Sequence, residues 1–142
     1  MASAVFMKGK QTSKNKTNQN ALIKAGENFA AAGQLEKALD CYSQTLDHLV
    51  ALAKISAEKS EGASMNAIFG SAQVSENYLQ KFNEYLRKDQ VASIISNNMA
   101  VIFAKMGNKE SARAFFEQAI DLTPKGVDYQ DPHIGLQVLA SR

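Results

Sequence analysis

The sequence has no tryptophan, only two prolines and a single cysteine in 142 residues. The lone cysteine, Cys41, has no internal partner for a disulfide. Oxidising secretion is therefore not implied, and a reducing compartment, the cytoplasm, is expected. Scarcity of proline, with an abundance of Ala, Leu, Lys, Glu, Gln and Asn, leaves good helix formers dominant and argues for an all-α fold over a β one. No apolar run approaches the roughly 20 residues that span a bilayer. The apolar stretch 4–7 is too short for a secretory signal and precedes the lysines instead of following them.

Chemistry-bearing constellations are also missing. His48 and His133 are far apart in sequence, and no Cys or carboxylate group stands at metal-ligand spacing near either. There is no Gly-rich phosphate loop and no nucleophile elbow. Cys41 adjoins Tyr42 on a helical stripe, the setting of a packed structural thiol and not of a nucleophile. The expectation is a protein without catalytic residues, cofactor or metal.

What is present is enough apolar material to fold: 45% of residues are hydrophobic and 21% charged. The net charge of +2 conceals an asymmetry. Residues 1–18 carry Lys8, Lys10, Lys14 and Lys16 and no acid, which leaves 12 basic and 14 acidic side chains for the rest. The body is thus mildly acidic behind a basic stretch, unlike a nucleic-acid-binding domain with a basic stripe across its fold. Residues 1–18 read as a flexible, solvated arm. Two alternatives are a mitochondrial leader, which lysine in place of arginine disfavours, and an electrostatic contact to acidic protein, phosphate or anionic lipid.

Helical periodicity starts near Asn20, where Leu22, Ala25, Gly26, Phe29 and Ala32 recur at spacings of three and four. Gly33 ends this helix, and a second begins at once with the stripe Leu35, Ala38, Leu39, Tyr42, Leu46, Leu49 and Ala53. No breaker intervenes before Ser60 to Gly62, so the second helix is predicted to run about 25 residues, long for a globular helix. A short helix is expected within 63–72. A firm amphipathic one follows from Ser75 to near Asp89, on Tyr78, Leu79, Phe82, Tyr85 and Leu86. The next helix carries Val91, Ile95, Met99, Ile102 and Phe103 and closes at Gly107. Asn108 caps its successor, whose stripe is Ala112, Phe115, Phe116, Ala119 and Ile120 and which Pro124 stops. Asp131-Pro132 opens a final helix, from which Ile134, Val138 and Leu139 are expected to cover the open end of the preceding pair.

Self-similarity runs through this pattern. Gly33 and Gly107 each close a helix, and each is followed by an alanine and then an aromatic at matching offsets, Ala38 and Tyr42, Ala112 and Phe116. An aromatic and a small residue precede each glycine at matching offsets, Phe29 and Gly26, Phe103 and Ala100. Small residues at these places let two antiparallel helices touch, while aromatics fill the space between successive pairs. These residues resemble the tetratricopeptide repeat, a helix pair of about 34 residues with a small–aromatic–alanine–aromatic–proline pattern. The match is best over 93–126, which departs from the pattern at Ser96, where a bulky residue is usual. It is also good over 19–52, where Val50 replaces the terminal proline. A degenerate middle repeat fits 59–92, with Met65, Phe69 and Phe82 in place but Asn66, Tyr78 and Tyr85 off pattern.

The resemblance implies three repeats in a right-handed superhelix, 19–126, with 127–142 as a C-terminal capping helix. It also implies a concave groove for a peptide or partner helix. In that frame the groove is lined by Ile23, Lys24 and Glu27, by Ser64 and Ala67, and by Ile94, Asn97, Asn98, Val101 and Lys105. Asn97 and Asn98 suit an extended backbone, and the apolar members suit its side chains. The cationic clamp by which one subgroup holds acidic chaperone tails is not reproduced, since Glu27 and Ile94 occupy clamp positions. The function implied is a protein-binding scaffold, a subunit or assembly factor of a larger complex. Two alternatives are an RNA- or ribosome-associated adaptor using the lysines of residues 1–18, and a domain of the microtubule-interacting-and-transport type, which residues 21–60 also resemble. The sequence leaves the partner and the oligomeric state open.

Overall fold

The computed structural model describes residues 8–61 and 75–141. The elements are α1 (Lys8–Ala31), α2 (Leu35–Glu61), α3 (Glu76–Arg87), a 3-10 turn (Lys88–Gln90), α4 (Val91–Lys105), α5 (Lys109–Asp121) and α6 (Asp131–Ala140). No strand occurs among the described residues, as the composition predicts. The helix expected within 63–72 lies outside the described residues. Two compact units are present, Met1–Thr45 and Leu46–Arg142, and the boundary between them falls inside α2.

α1 begins at Lys8, well inside the stretch whose composition reads as an arm. No proline interrupts 8–31 and glycine occurs only at positions 9 and 26, so a helix nucleated on the periodic residues 22–30 extends backward at little cost. α1 ends where the sequence predicts. Gly33 takes φ +80°, open to glycine and strained for other residues. Its amide donates to the carbonyl of Ala30 (3.0 Å), and that of Gln34 donates to the carbonyl of Phe29 (2.8 Å). This pair of bonds satisfies carbonyls that the helix end would otherwise leave open. Gly107 repeats the arrangement at φ +85°. There the bonds run from Gly107 to Ala104 (3.1 Å) and from Asn108 to Phe103 (2.9 Å).

In the first unit the turn lays the start of α2 against α1. The ring of Tyr42 lies directly on Gly26, where a Cβ would come within 2.8 Å of it. Ala38, Cys41 and Thr45 are buried along the same stripe of α2, and the Thr45 hydroxyl donates to the Cys41 carbonyl (3.0 Å). The Lys37 ammonium stands 5.7 Å from the centre of the Phe29 ring, a cation–π contact across the turn. Burial raises the pKa of the Cys41 thiol above its ordinary value, and the charge of Asp40 raises it further. The thiolate is therefore scarce at neutral pH, in keeping with a structural role.

In the second unit, the remainder of α2 packs on α3. Ala53 of α2 and Leu86 of α3 are buried with Ala92 of α4 and Leu122, and Leu46, Leu49, Phe82 and Tyr85 pack around them. α3 is capped by Ser75, whose hydroxyl accepts from the amide of Tyr78 (3.0 Å), and Tyr78 and Phe82 stack one turn apart with ring centres 6.4 Å apart. α4 and α5 form the tightest pair. Their contact is made of small side chains, Ser93, Ser96, Ala100, Ala112 and Ala119, all fully buried. The Ser93 hydroxyl donates to the Ala119 carbonyl (2.8 Å) across the pair, an approach that larger residues at either position would block. Ser96 is the departure from the repeat pattern, and its hydroxyl accepts from the Gln118 amide (2.9 Å). A hydrogen bond thus stands where bulk is usual. Asn108 caps α5 as predicted, accepting from the amide of Ser111 (3.1 Å).

α6 closes this unit with a stripe different from the one expected. Pro132 and Leu139 are buried, and Leu136 packs on the cluster of Ala100, Ala112, Phe116 and Leu139. Ile134 and Val138, expected to cover the pair, face outward at 54% and 46% exposure. The reason is Gly135. Its missing side chain leaves a notch for Phe116, whose ring would lie 2.3 Å from a Cβ there. The notch rotates α6 so that residues 132, 135, 136 and 139 face inward.

Two measurements check this packing. Gly135→Ala is expected to lower unfolding free energy by about 1–3 kcal/mol through overpacking against the rigid Phe116 ring. Urea denaturation reads it, and an unchanged midpoint would mean the ring is not seated in the notch. Cys41 in the native protein is expected to react with a maleimide far more slowly than a free cysteine, and at the free rate once urea unfolds the chain.

Candidate partner-binding face

α4 is fifteen residues long. Its inner side is committed to α5 through Ser93, Ser96 and Ala100, which leaves positions 94, 98, 101 and 105 along the outer side. Ile94 is 40% and Val101 37% exposed, Lys105 is exposed, and Asn98 is half-buried between them. The structure thus gathers four of the groove residues named from the sequence onto one helical face. Two apolar side chains lie one above the other two turns apart, with an amide between.

Asn97 is placed differently from its neighbour. It is only 6% exposed. Its side chain hydrogen-bonds with Tyr129, in the segment between α5 and α6. Burial raises the Tyr129 phenol above its ordinary pKa and the charge of Asp131 adds to this, while the Asn97 bond opposes both. The Asn97 Oδ1 is buried with no hydrogen-bond partner among the described residues. A buried, unpaired acceptor is uncommon and costs about 1–3 kcal/mol. Tyr129 could not have been identified from the sequence, because nothing in a loop after Pro124 signals which helix it will touch.

The remaining groove residues are distributed elsewhere. Ile23, Lys24 and Glu27 stand on α1 in the first unit, Ile23 half-buried and the other two exposed. Ser64 and Ala67 lie outside the described residues. Lys8, Lys10, Lys14 and Lys16 fall on the first turns of α1. Of the residues weighed for chemistry, His48 is half-buried and His133 exposed, and among the described residues no three His, Cys, Asp or Glu side chains are grouped to hold a metal ion. No helix among the described residues is long and apolar enough to cross a membrane.

A concavity that the sequence does not announce opens at the end of α3. It has a volume of about 500 Å³ and is lined by Asn83, Glu84 and Arg87 of α3, by Lys88, and by Pro124 and Lys125. Arg87 is tied down by its Nε, which donates to the carbonyl of Asp121 (3.0 Å) at the end of α5. The signal available in the sequence was the pair Arg87-Lys88 at a helix end, an ordinary feature there because cations favour helix C-termini.

Comparison with known families places the tightest part of this structure. Residues 95–125 match the family model of the tetratricopeptide repeat, and this span covers α4 beyond its first turn and all of α5. Neither the curated proteins nor the solved structures give a match to the chain. The glycine-closed turn, the small-residue contact of α4 with α5 and the buried Phe116 are the physical content of that repeat, and residues 95–125 form a tetratricopeptide repeat.

Proposed function

We propose that the protein is a subunit or assembly factor of a larger complex and that it holds a peptide segment or helix of a partner on the outer face of α4. The coarser statement, a scaffold for protein–protein interaction, follows from the repeat itself. The observation that carries the finer one is the pair of exposed aliphatics Ile94 and Val101, two turns apart on α4, with the half-buried Asn98 amide between them. Exposed aliphatics seek apolar cover, and an amide offers both a donor and an acceptor to a backbone. An extended segment or a helix with a polar side chain supplies partners for both at once.

We further read α1–α2 as a repeat of the same kind, at 19–52, with a degenerate repeat at 59–92 between it and the recognised one. Support comes from the turns: the bonds of Gly33 and Gln34 to the carbonyls of Ala30 and Phe29 have their counterparts at Gly107 and Asn108. Tyr42 and Phe116 are each seated on a glycine of a helix, Gly26 and Gly135.

Recovery of the protein from its native source under gentle conditions tests this. A large assembly of fixed stoichiometry is expected, with companions identifiable by mass spectrometry. The double variant Ile94→Asp/Val101→Asp is expected to lose those companions while keeping its helical circular dichroism, since both side chains are already partly in water. A free monomer without companions at any salt concentration would overturn the subunit reading. Companions retained in full by the double variant would move the contact away from α4.

A further inference from the structure

The cleft at the end of α3 has a positive charge that residues 19–142 as a whole do not share. Residues 19–142 carry 12 basic and 14 acidic side chains, yet Arg87, Lys88 and Lys125 line a single concavity whose one carboxylate is Glu84. That carboxylate is already engaged on both oxygens. Its Oε1 is paired with Lys81 at 3.7 Å, and its Oε2 accepts from the Gln80 amide at 3.2 Å. Arg87, Lys88 and Lys125 make no ion pair among the described residues. Three cations facing one cleft with a single carboxylate, itself shared with Lys81, repel one another.

The three are also positioned by the fold. The Nε bond to Asp121 fixes the plane of the Arg87 guanidinium. Its terminal amino groups are left for a planar oxyanion, which such a fork binds bidentately. Lys88 follows directly and is held by a three-residue turn in which Asp89 (φ 60°) and Gln90 (φ 62°) both take the left-handed conformation. Two consecutive non-glycine residues in that region are rare. The turn ends α3 and starts α4 with Lys88 on the cleft wall. Lys125 enters from the other side, after Pro124 has stopped the chain beyond α5.

We propose that this cleft is a docking site for an acidic segment of a protein partner, with its carboxylates on Arg87, Lys88 and Lys125. A nucleic acid is the less suitable polyanion. It needs a basic stripe to follow its backbone, whereas here three cations meet in one cleft of a unit, 46–142, that carries 10 basic and 11 acidic side chains. The amide of Asn83 at the cleft wall suits the peptide backbone between carboxylate side chains. The proposal rests on this cleft alone and does not depend on the binding face of α4.

The test is fluorescence anisotropy of a fluorescein-labelled hexaglutamate peptide with the full chain. Saturable binding is expected at about 50 mM salt, much weakened at about 500 mM. Lys88→Gln/Lys125→Gln leaves the Arg87 bond intact and is expected to weaken binding by about tenfold or more. The control Lys54→Gln/Lys59→Gln removes the same charge from exposed positions of α2 and is expected to leave binding within about twofold. Thermal melting of each variant separates lost binding from lost fold. Absence of saturable binding to the wild type at low salt overturns the proposal, as does equal weakening by the control. Displacement of the peptide by an oligouridylate of equal charge at a lower concentration than unlabelled peptide requires would assign the cleft to nucleic acid. Displacement by inorganic phosphate at the peptide's own concentration would assign it to a bare anion. Either displacement overturns the peptide assignment.

Discussion

The contact of α4 with α5 through side chains no larger than alanine or serine is the constraint from which the second unit follows. Ser93, Ser96, Ala100, Ala112 and Ala119 leave no room for bulk between the helices. Ser93 closes the gap by bonding to the backbone of the opposite helix at Ala119. Such a contact needs the two helices to run back to back from the first residue after the turn, and Gly107 permits this by reversing the chain in a conformation that alanine would strain. Aromatic residues, excluded from the seam, are placed around it. Phe103 and Phe115 stack with ring centres 5.4 Å apart, and Phe116 turns toward α6, where Gly135 receives it.

These local features were legible in the sequence because each is fixed by residues close together in the chain. A glycine after a periodic stripe, an alanine one turn into the next helix and an aromatic four residues beyond specify the turn and both inward faces. The cap Asn108 was legible for the same reason, since a side-chain oxygen reaches an amide only three residues on. The length of α2 followed from the absence of any breaker.

What was not legible depends on which distant residue arrives. Ser96 departs from the repeat pattern, and only Gln118 on the facing helix shows how its polar group is satisfied. Ile134 and Val138 have the spacing of an inward stripe, but the notch at Gly135 decides the rotation of α6, and sequence periodicity has no means of weighing one glycine against two aliphatics. Lys8 as the start of α1 shows the converse limit. Composition measures a segment's need to bury surface, and a polar segment can still continue a helix begun by its neighbour. The candidate site divides in the same way. Helical spacing on α4 was sufficient to group Ile94, Asn98, Val101 and Lys105. The burial of Asn97 against Tyr129 and the convergence of Arg87, Lys88 and Lys125 both depend on loops brought in from beyond α5.

The two candidate surfaces differ in what they would ask of a partner. The outer face of α4 is apolar and amide-bearing, with Ile94 and Val101 exposed and Asn98 half-buried between them. A ligand there would be chosen by how well it covers the two aliphatics and meets the amide. Selection at α4 would therefore be geometric and largely indifferent to salt. At the cleft the attraction would be Coulombic, so longer in range and weakened by salt. It would discriminate by net charge and act on the rate of encounter more than on the lifetime of the complex. A partner that carries an apolar, donor-bearing segment and an acidic one would be steered by the second and held by the first. Neither contact would then need to be strong by itself, because the second to form is intramolecular once the first is made.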